Sequence, residues 1–350
     1  MKTKMRPDIL LDGSQGEGGG QILRTALGLS AVTGKPFTMV RIRAGRKRPG
    51  LMRQHLAGVK AVASLTDALI PERVGLGSTS LDFEPRDLRG GEETFLIGSA
   101  GSTTLLLQTV LPILLKAPET CRFSFVGGTH VPFAPCFEYA AEILLPTLRA
   151  MGADLSIQLE RAGFFPAGGG LFEASSSPAE LSPIHWTEAA MKEELTGEVL
   201  LTPGIPSAVA DREMKKVVSA FGLDRSQVWM RHPEGTACPG NAVLTRVASS
   251  TGSPGTLTSS YGDRGKRAER VASEAIMGMK RYLESSAPVD EFLADQLLVP
   301  LALVGGGSFV TTALTPHFHS QVDVISQFLP DVFIQTECLD RFAWKVEVTH

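Results

Sequence analysis

Ile9-Leu10-Leu11-Asp12-Gly13-Ser14-Gln15-Gly16-Glu17-Gly18-Gly19-Gly20-Gln21-Ile22-Leu23-Arg24 contains the pattern from which the rest of the chain can be read. A short apolar run stops at Asp12-Gly13, a glycine cluster follows, and an apolar periodicity begins at Ile22, Leu23, Ala26, Leu27 and Leu29. This order predicts a strand, a glycine-rich turn and a helix. A second round follows, with a strand over 37–42, a basic loop over 43–48 and a helix from Met52 to Leu69, ahead of Pro71.

The pattern returns at Phe95–Leu115 through Gly98-Ser99-Ala100-Gly101-Ser102, and at Phe123–Leu148 through Gly127-Gly128-Thr129. It returns again where Gly305-Gly306-Gly307 leads to a strand over 309–314 and a helix over 316–329. Three related units are expected, with a period of roughly 80 residues once the middle of the chain is set aside. That middle has another texture. Ser175–Pro183 is rich in Ser and Pro, and the strand-like 197–201, the helix-like 209–221 and a loop-rich 231–265 lack the glycine turn. An inserted small domain is expected over about 186–280.

A chain of 350 residues with 43% hydrophobic and 20% charged residues can bury a real core, and disorder is not indicated. The formal charge of -3 supplies no global attraction to nucleic acid, so any such contact needs a local basic patch. Cys121, Cys136, Cys238 and Cys338 form no C-x-x-C pair and are read as reduced thiols. The first residues lack the apolar core of a signal peptide, and Leu105–Leu115 is too short to span a bilayer, so a cytoplasmic, non-membrane protein is expected.

The turn at 16–20 puts a carboxylate, flexible backbone and Arg24 at a helix entrance, a form suited to phosphate or to plain turning. It is neither a dinucleotide fingerprint, since Gln21 stands where a glycine would, nor a P-loop, since Gly34-Lys35 is followed by Pro36. Arg41, Arg43, Arg46, Lys47, Arg48 and Arg53 cluster without an acidic neighbour, as a solvated face or an anion site. Thr315-Pro316-His317 has the form of an N-cap, a first-turn proline and a histidine that the positive helix end would keep neutral. Local residues alone leave His317 as bystander or nucleophile, with His319 two positions on. Of the other histidines only His130 is assigned a possible site role. There is no G-x-S-x-G and no H-E-x-x-H.

Asp12-Gly13-Ser14-Gln15-Gly16-Glu17-Gly18-Gly19-Gly20-Gln21-Ile22-Leu23-Arg24, Ile42-Arg43-Ala44-Gly45-Arg46, and Pro49-Gly50-Leu51 with Arg53-Gln54-His55 together resemble the RNA 3'-terminal phosphate cyclase family. Gly98–Ser102 with Leu107-Gln108-Thr109, Gly127-Gly128-Thr129 with Ala134-Pro135, Phe165-Pro166-Ala167-Gly168-Gly169-Gly170 and Leu293-Ala294-Asp295-Gln296 extend the likeness along the chain. The resemblance implies an α/β (α+β) fold: a large domain of three βαβαββ-like repeats, similar to those of enolpyruvyl transferases, over 1–185 and 281–350. A small α/β domain is inserted over 186–280.

It also implies roles. His317 occupies the position of the adenylated histidine, Glu17 that of a metal contact, and Arg24, Arg43, Arg46 and Gln54 those lining the phosphate and RNA-end site. Gln108, Pro132, Phe292, Leu293, Ala294, Asp295 and Gln296 fall on ATP-pocket positions. Two departures stand out: Ser320-Gln321 replace a usual Thr-Asn pair, and Phe292 replaces an aromatic hydroxyl. Tyr261 is a candidate for stacking on adenine. The implied activity is ATP-dependent closure of an RNA 3'-phosphate to a 2',3'-cyclic phosphate through a histidine-AMP, with a divalent metal (magnesium or manganese). RNA ends are the expected partner, with no obligate protein partner. The rivals are a non-catalytic binding protein of the same fold and an enolpyruvyl transferase.

Overall fold

A computed structural model describes residues 9–16, 18–250 and 252–350 of the chain. The first unit comprises β1 (Ile9–Asp12), α1 (Gln21–Thr33), β2 (Phe37–Val40), α2 (Arg53–Thr66) and β3 (Leu81–Phe83). The second comprises β4 (Gly91–Leu96), α3 (Thr103–Lys116), β5 (Cys121–Gly127), α4 (Phe137–Tyr139), a π turn over Ala140–Leu144, α5 (Leu145–Ala150), β6 (Asp154–Arg161) and β7 (Gly170–Ser177). The third begins with β8 (His185–Trp186). A separate run of β9 (Lys192–Leu201), α6 (Ser207–Phe221), β10 (Val228–Arg231), β11 (Asn241–Ser249), β12 (Thr256–Tyr261) and α7 (Ala268–Leu283) then intervenes. The third unit resumes with α8 (Glu291–Val304), β13 (Gly307–Thr311), α9 (Pro316–Phe328), β14 (Phe333–Asp340) and β15 (Ala343–Thr349).

Sheet order bears out the repeat. The second unit has order β4-β5-β7-β6 and the third β8-β13-β15-β14, each with one parallel pair followed by two antiparallel pairs. The first unit is a shortened copy. Its sheet is β1-β2-β3, parallel then antiparallel, and the strand missing from the pattern survives as a bridge between Leu69 and Glu84.

The helices lie at the centre. Eleven of the residues of α3 are buried, from Thr103 to Leu115, and α1 and α8 are nearly as enclosed, as expected for helices that are apolar all round. Gly28 of α1 lets α3 approach closely, since a Cβ there would come within 2.7 Å of Pro112 Cγ. One continuous core joins the three units. The intervening run keeps its own core, where Ala210, Met214 and Val217 of α6 and Val271, Ala275 and Ile276 of α7 cover Val199, Leu201 and Val243.

The expected limits at 186 and 280 fall inside β8 and α7. Trp186 pairs with Phe309 of β13, and α7 continues to Leu283. The segment read as loop-rich, 231–265, instead contains β11 and β12, paired from Ala242–Tyr261 to Val247–Thr256. Its Ser, Thr and Gly content hid a strand alternation that is buried against α7.

Candidate active site

A cavity of about 480 Å³ opens between the N-terminal turns of α1 and α9 and the flanks of α3 and α8. Its wall includes Arg24, Gln108, Phe292, Asp295, Gln296 and His317. Tyr261 of β12 and the exposed Phe133 close it from other sides. The N-terminal turns of α1 and α9, with the cation Arg24, make one end of it favourable to anions.

Three of these helices begin with a side-chain cap. Ser102 caps α3 through Leu105 N–H at 3.1 Å, and Asp290 caps α8 through Phe292 and Leu293 N–H at 2.9 and 2.6 Å. Thr315 caps α9 by accepting from Phe318 N–H at 3.0 Å, with Pro316 at the first helical position, as the sequence predicts. Thr315 also donates its hydroxyl to both carboxyl oxygens of Asp295, at 2.8 and 2.9 Å. Gln321 Nε2 donates to the Asp295 carbonyl at 2.6 Å. Asp295 and Gln321 therefore clamp α9 to α8 and set where His317 stands. Ser320 packs into the N-terminal turn, where a Cβ on Gly16 would meet its Oγ at 2.1 Å. The two departures at 320 and 321 thus form part of this seat.

Burial dominates the electrostatics. His317 titrates below its ordinary range because it is desolvated and because Arg24 and Arg46 lie near. The neutral form expected from the helix end is thus secured mainly by burial and two arginines. Burial lowers Arg24 to about 10, which leaves it cationic at neutral pH, and its Nε is enclosed without an acceptor among the described residues. Gln296 likewise donates to the Phe292 carbonyl at 3.0 Å while its Oε1 is enclosed without a donor among the described residues. An orphaned donor and an orphaned acceptor on one wall are groups that a polar ligand would satisfy. Burial raises Asp295 to about 7, against the hydrogen bond from Thr315.

Asp295 leads to a stability prediction. Below its ordinary value of 3.8 the carboxyl is neutral both folded and unfolded. Between 3.8 and about 7 only the unfolded chain loses the proton, so stability falls as pH rises through that window. Asp295→Asn keeps an acceptor for Thr315 and removes this penalty. Its melting temperature should match the parent near about pH 4 and exceed it above about pH 7. A gain of equal size at both pH values would refute the assignment.

Among the remaining expected residues, Arg43 turns its Nη1 to the carbonyls of Arg48 and Gly50, at 2.8 and 2.9 Å, and so shapes the basic loop. Arg46 reaches toward His317 from the same loop. Gln54 Oε1 accepts from Ser102 N–H at 3.0 Å, holding the turn before α3. Leu293 and Ala294 are wholly buried and Pro132 is exposed; none lines the cavity. Glu17 lies outside the described residues.

His130 is not at the site. It is buried, stacks on Phe164 at 4.6 Å, and pairs with Glu138 at 2.8 Å. His55, passed over in the sequence, sits between Arg24 and Arg43, and burial with those two cations lowers it to about 3. Its Nδ1 accepts from Met52 N–H at 3.2 Å, which places the proton of the neutral ring on Nε2, beside Gly20. The adjoining Arg53-Gln54-His55 triplet was the available signal.

The family model for RNA 3'-terminal phosphate cyclase matches residues 15–334. The chain belongs to the RNA 3'-terminal phosphate cyclase family. Proteins named RNA 3'-terminal phosphate cyclase from Ectopseudomonas mendocina and Pseudomonas fluorescens are 44% and 45% identical to it. The first alignment covers 95% of this chain and 96% of the relative, the second 93% and 94%. A relative of the same name from Koribacter versatilis is 42% identical over 93% of this chain and 91% of its own length.

Proposed function

We propose that this enzyme converts an RNA 3'-phosphate to a 2',3'-cyclic phosphate, using ATP and releasing AMP and pyrophosphate, with His317 as the residue that carries AMP. The observation that carries the reading is a neutral His317 on the wall of a cavity that also holds the buried Arg24 and the N-terminal turns of α1 and α9. His317 attacks the α-phosphorus, the bond to pyrophosphate breaks, and the imidazole proton is released. The RNA 3'-phosphate then displaces His317 from the adenylyl phosphorus. Finally the neighbouring 2'-hydroxyl attacks the activated terminal phosphorus and AMP departs, a step favoured by nucleophile and phosphorus sharing one ribose.

Arg24 and Arg46 supply positive charge to phosphates at this centre, and the unsatisfied Gln296 Oε1 offers an acceptor to the base. Phe292 and Tyr261 offer rings at the cavity wall for adenine, and Gln108 a further amide. A divalent metal, magnesium or manganese, belongs to the proposal, with Glu17 as its contact. Among the described residues no three His, Cys, Asp or Glu side chains converge. The β9–β12 run with α6 and α7 is taken as the small inserted domain.

No described helix is long and apolar enough to cross a membrane. Together with four free cysteines, this supports the cytoplasm as the proposed compartment.

Incubation with α-labelled ATP should leave label on the protein, and an RNA 3'-phosphate, but not a 3'-hydroxyl, should chase it. Arg46→Glu at about pH 8 should reduce cyclisation at least about 100-fold while covalent labelling falls less than about fivefold. If that variant lost labelling and kept RNA-end binding, Arg46 would belong to ATP instead. Label that no RNA end can chase would overturn the proposed reaction.

A further inference from the structure

The basic segment continues beyond the cavity. Arg53 Nη1 donates to the Gly98 carbonyl at 2.6 Å, so the turn over 98–101 lies directly against the start of α2. Gly168 sits so close across that turn that a Cβ would come within 2.7 Å of Ala100 Cα. The Gly169 carbonyl in turn accepts from Arg161 Nε at 2.9 Å. Three segments far apart in sequence thereby form one ridge: the basic loop with Arg53, the Gly98–Ala100 turn, and the Phe165–Gly169 turn with Arg161. All three were singled out in the sequence, and the chemistry at His317 uses neither of the two turns.

The far turn holds an aromatic that the core does not need. Phe164 is buried against His130, while its neighbour Phe165 is 52% exposed. The backbone beneath that ring is fixed. Phe165 N–H donates to the His130 carbonyl at 3.2 Å, and Gly168 N–H to the Phe164 carbonyl at 2.7 Å. The Cys238 thiol bonds the Phe164 and Gly168 carbonyls at 3.3 and 3.5 Å. Arg46, Lys47, Arg48, Arg53 and Arg161 on these segments are exposed. Arg53 and Arg161 each commit a guanidinium N–H to a carbonyl, which orients the fork and leaves further donors. Exposed Glu160 and Glu234 mark the end beyond Arg161. A fixed aromatic interleaved with oriented arginines is the chemistry that binds single-stranded nucleic acid, base on ring and phosphate on guanidinium.

We propose that this ridge binds the nucleotides just upstream of the RNA 3' end, with one base stacked on Phe165 and phosphates against Arg53 and Arg161. The proposal rests on the RNA-end function above and adds the path of the strand. The test compares two substrates, a ribodinucleotide 3'-phosphate and a single-stranded RNA 3'-phosphate of about ten nucleotides. Phe165→Ala should raise KM for the longer RNA about 5- to 100-fold, leave the dinucleotide and self-adenylation unchanged, and be rescued by Phe165→Tyr. Arg161→Ala should flatten the salt dependence for the longer RNA by about 0.7 in log–log slope. Equal losses on both lengths, or no loss on the longer one with normal self-adenylation, would overturn the ridge. Parent enzyme that closes neither substrate would instead overturn the function on which it rests.

Discussion

His317→Ala should carry no covalent AMP, a loss of about four orders of magnitude or more, whereas His319→Ala should label normally or somewhat slowly. The two histidines stand in the same first turn, and the fold separates them. His317 faces the cavity, while His319 is exposed and meets the ring of Phe318 edge-on at 5.7 Å. A histidine phosphoramidate is labile in acid and comparatively stable in alkali, so the surviving label on His319→Ala should show that profile. The attacking ring must be neutral. Because burial and the cations Arg24 and Arg46 lower its titration, labelling should stay on its plateau as pH falls past 6.5, the ordinary value, and decline only below it. Asp295→Asn should preserve that limb, which separates the histidine from the nearby carboxyl. Acid-labile label remaining on His317→Ala would remove the nucleophile from this position, and its loss from His319→Ala would transfer the role there.

Arg246→Met should destabilise the protein by about 3–5 kcal/mol, the usual result of removing one partner from a buried ion pair. Arg246 on β11 bonds Glu142 through Nε at 2.5 Å and Nη2 at 3.0 Å, and also bonds Glu198 on β9 at 2.5 Å. Glu198 is 3% exposed and also bonds Arg231, which reaches Glu138 at 3.0 Å, and Glu138 bonds His130. The network thus joins the π turn and α4 of the second unit to the intervening sheet. Without Arg246, the buried Glu198 keeps only Arg231 and Glu142 loses its partner. Urea denaturation should reveal the loss, and protease cleavage within 192–283 should quicken. A double substitution with Glu198→Gln should cost less than the sum of the two single ones. A change below about 1 kcal/mol would mean that water already screens the network, as at a surface pair.

Local rules made much of this protein legible in its residues. Glycine after a short apolar run, Thr315-Pro316 ahead of His317, and apolar residues at helical spacing specify turns, caps and buried faces within a few positions, so the repeated unit and the helix that carries His317 could be read directly. Family motifs supplied the reaction class. Alternation was harder to see in β11 and β12, because their Thr and Ser residues acquire an inside only when α7 lies on them.

Tertiary structure decided what depends on distant partners. Residues 24, 108, 295 and 317 share a wall only because α1, α3, α8 and α9 pack around one space. His130 left the site for the same reason: its partners include Glu138 and, through it, Arg231 and Glu198, which no local pattern links to it. Protonation was likewise beyond the sequence. The neutrality of His317, the depressed His55 and the raised Asp295 follow from desolvation and from neighbouring charges, and both exist only once the chain has excluded water around them.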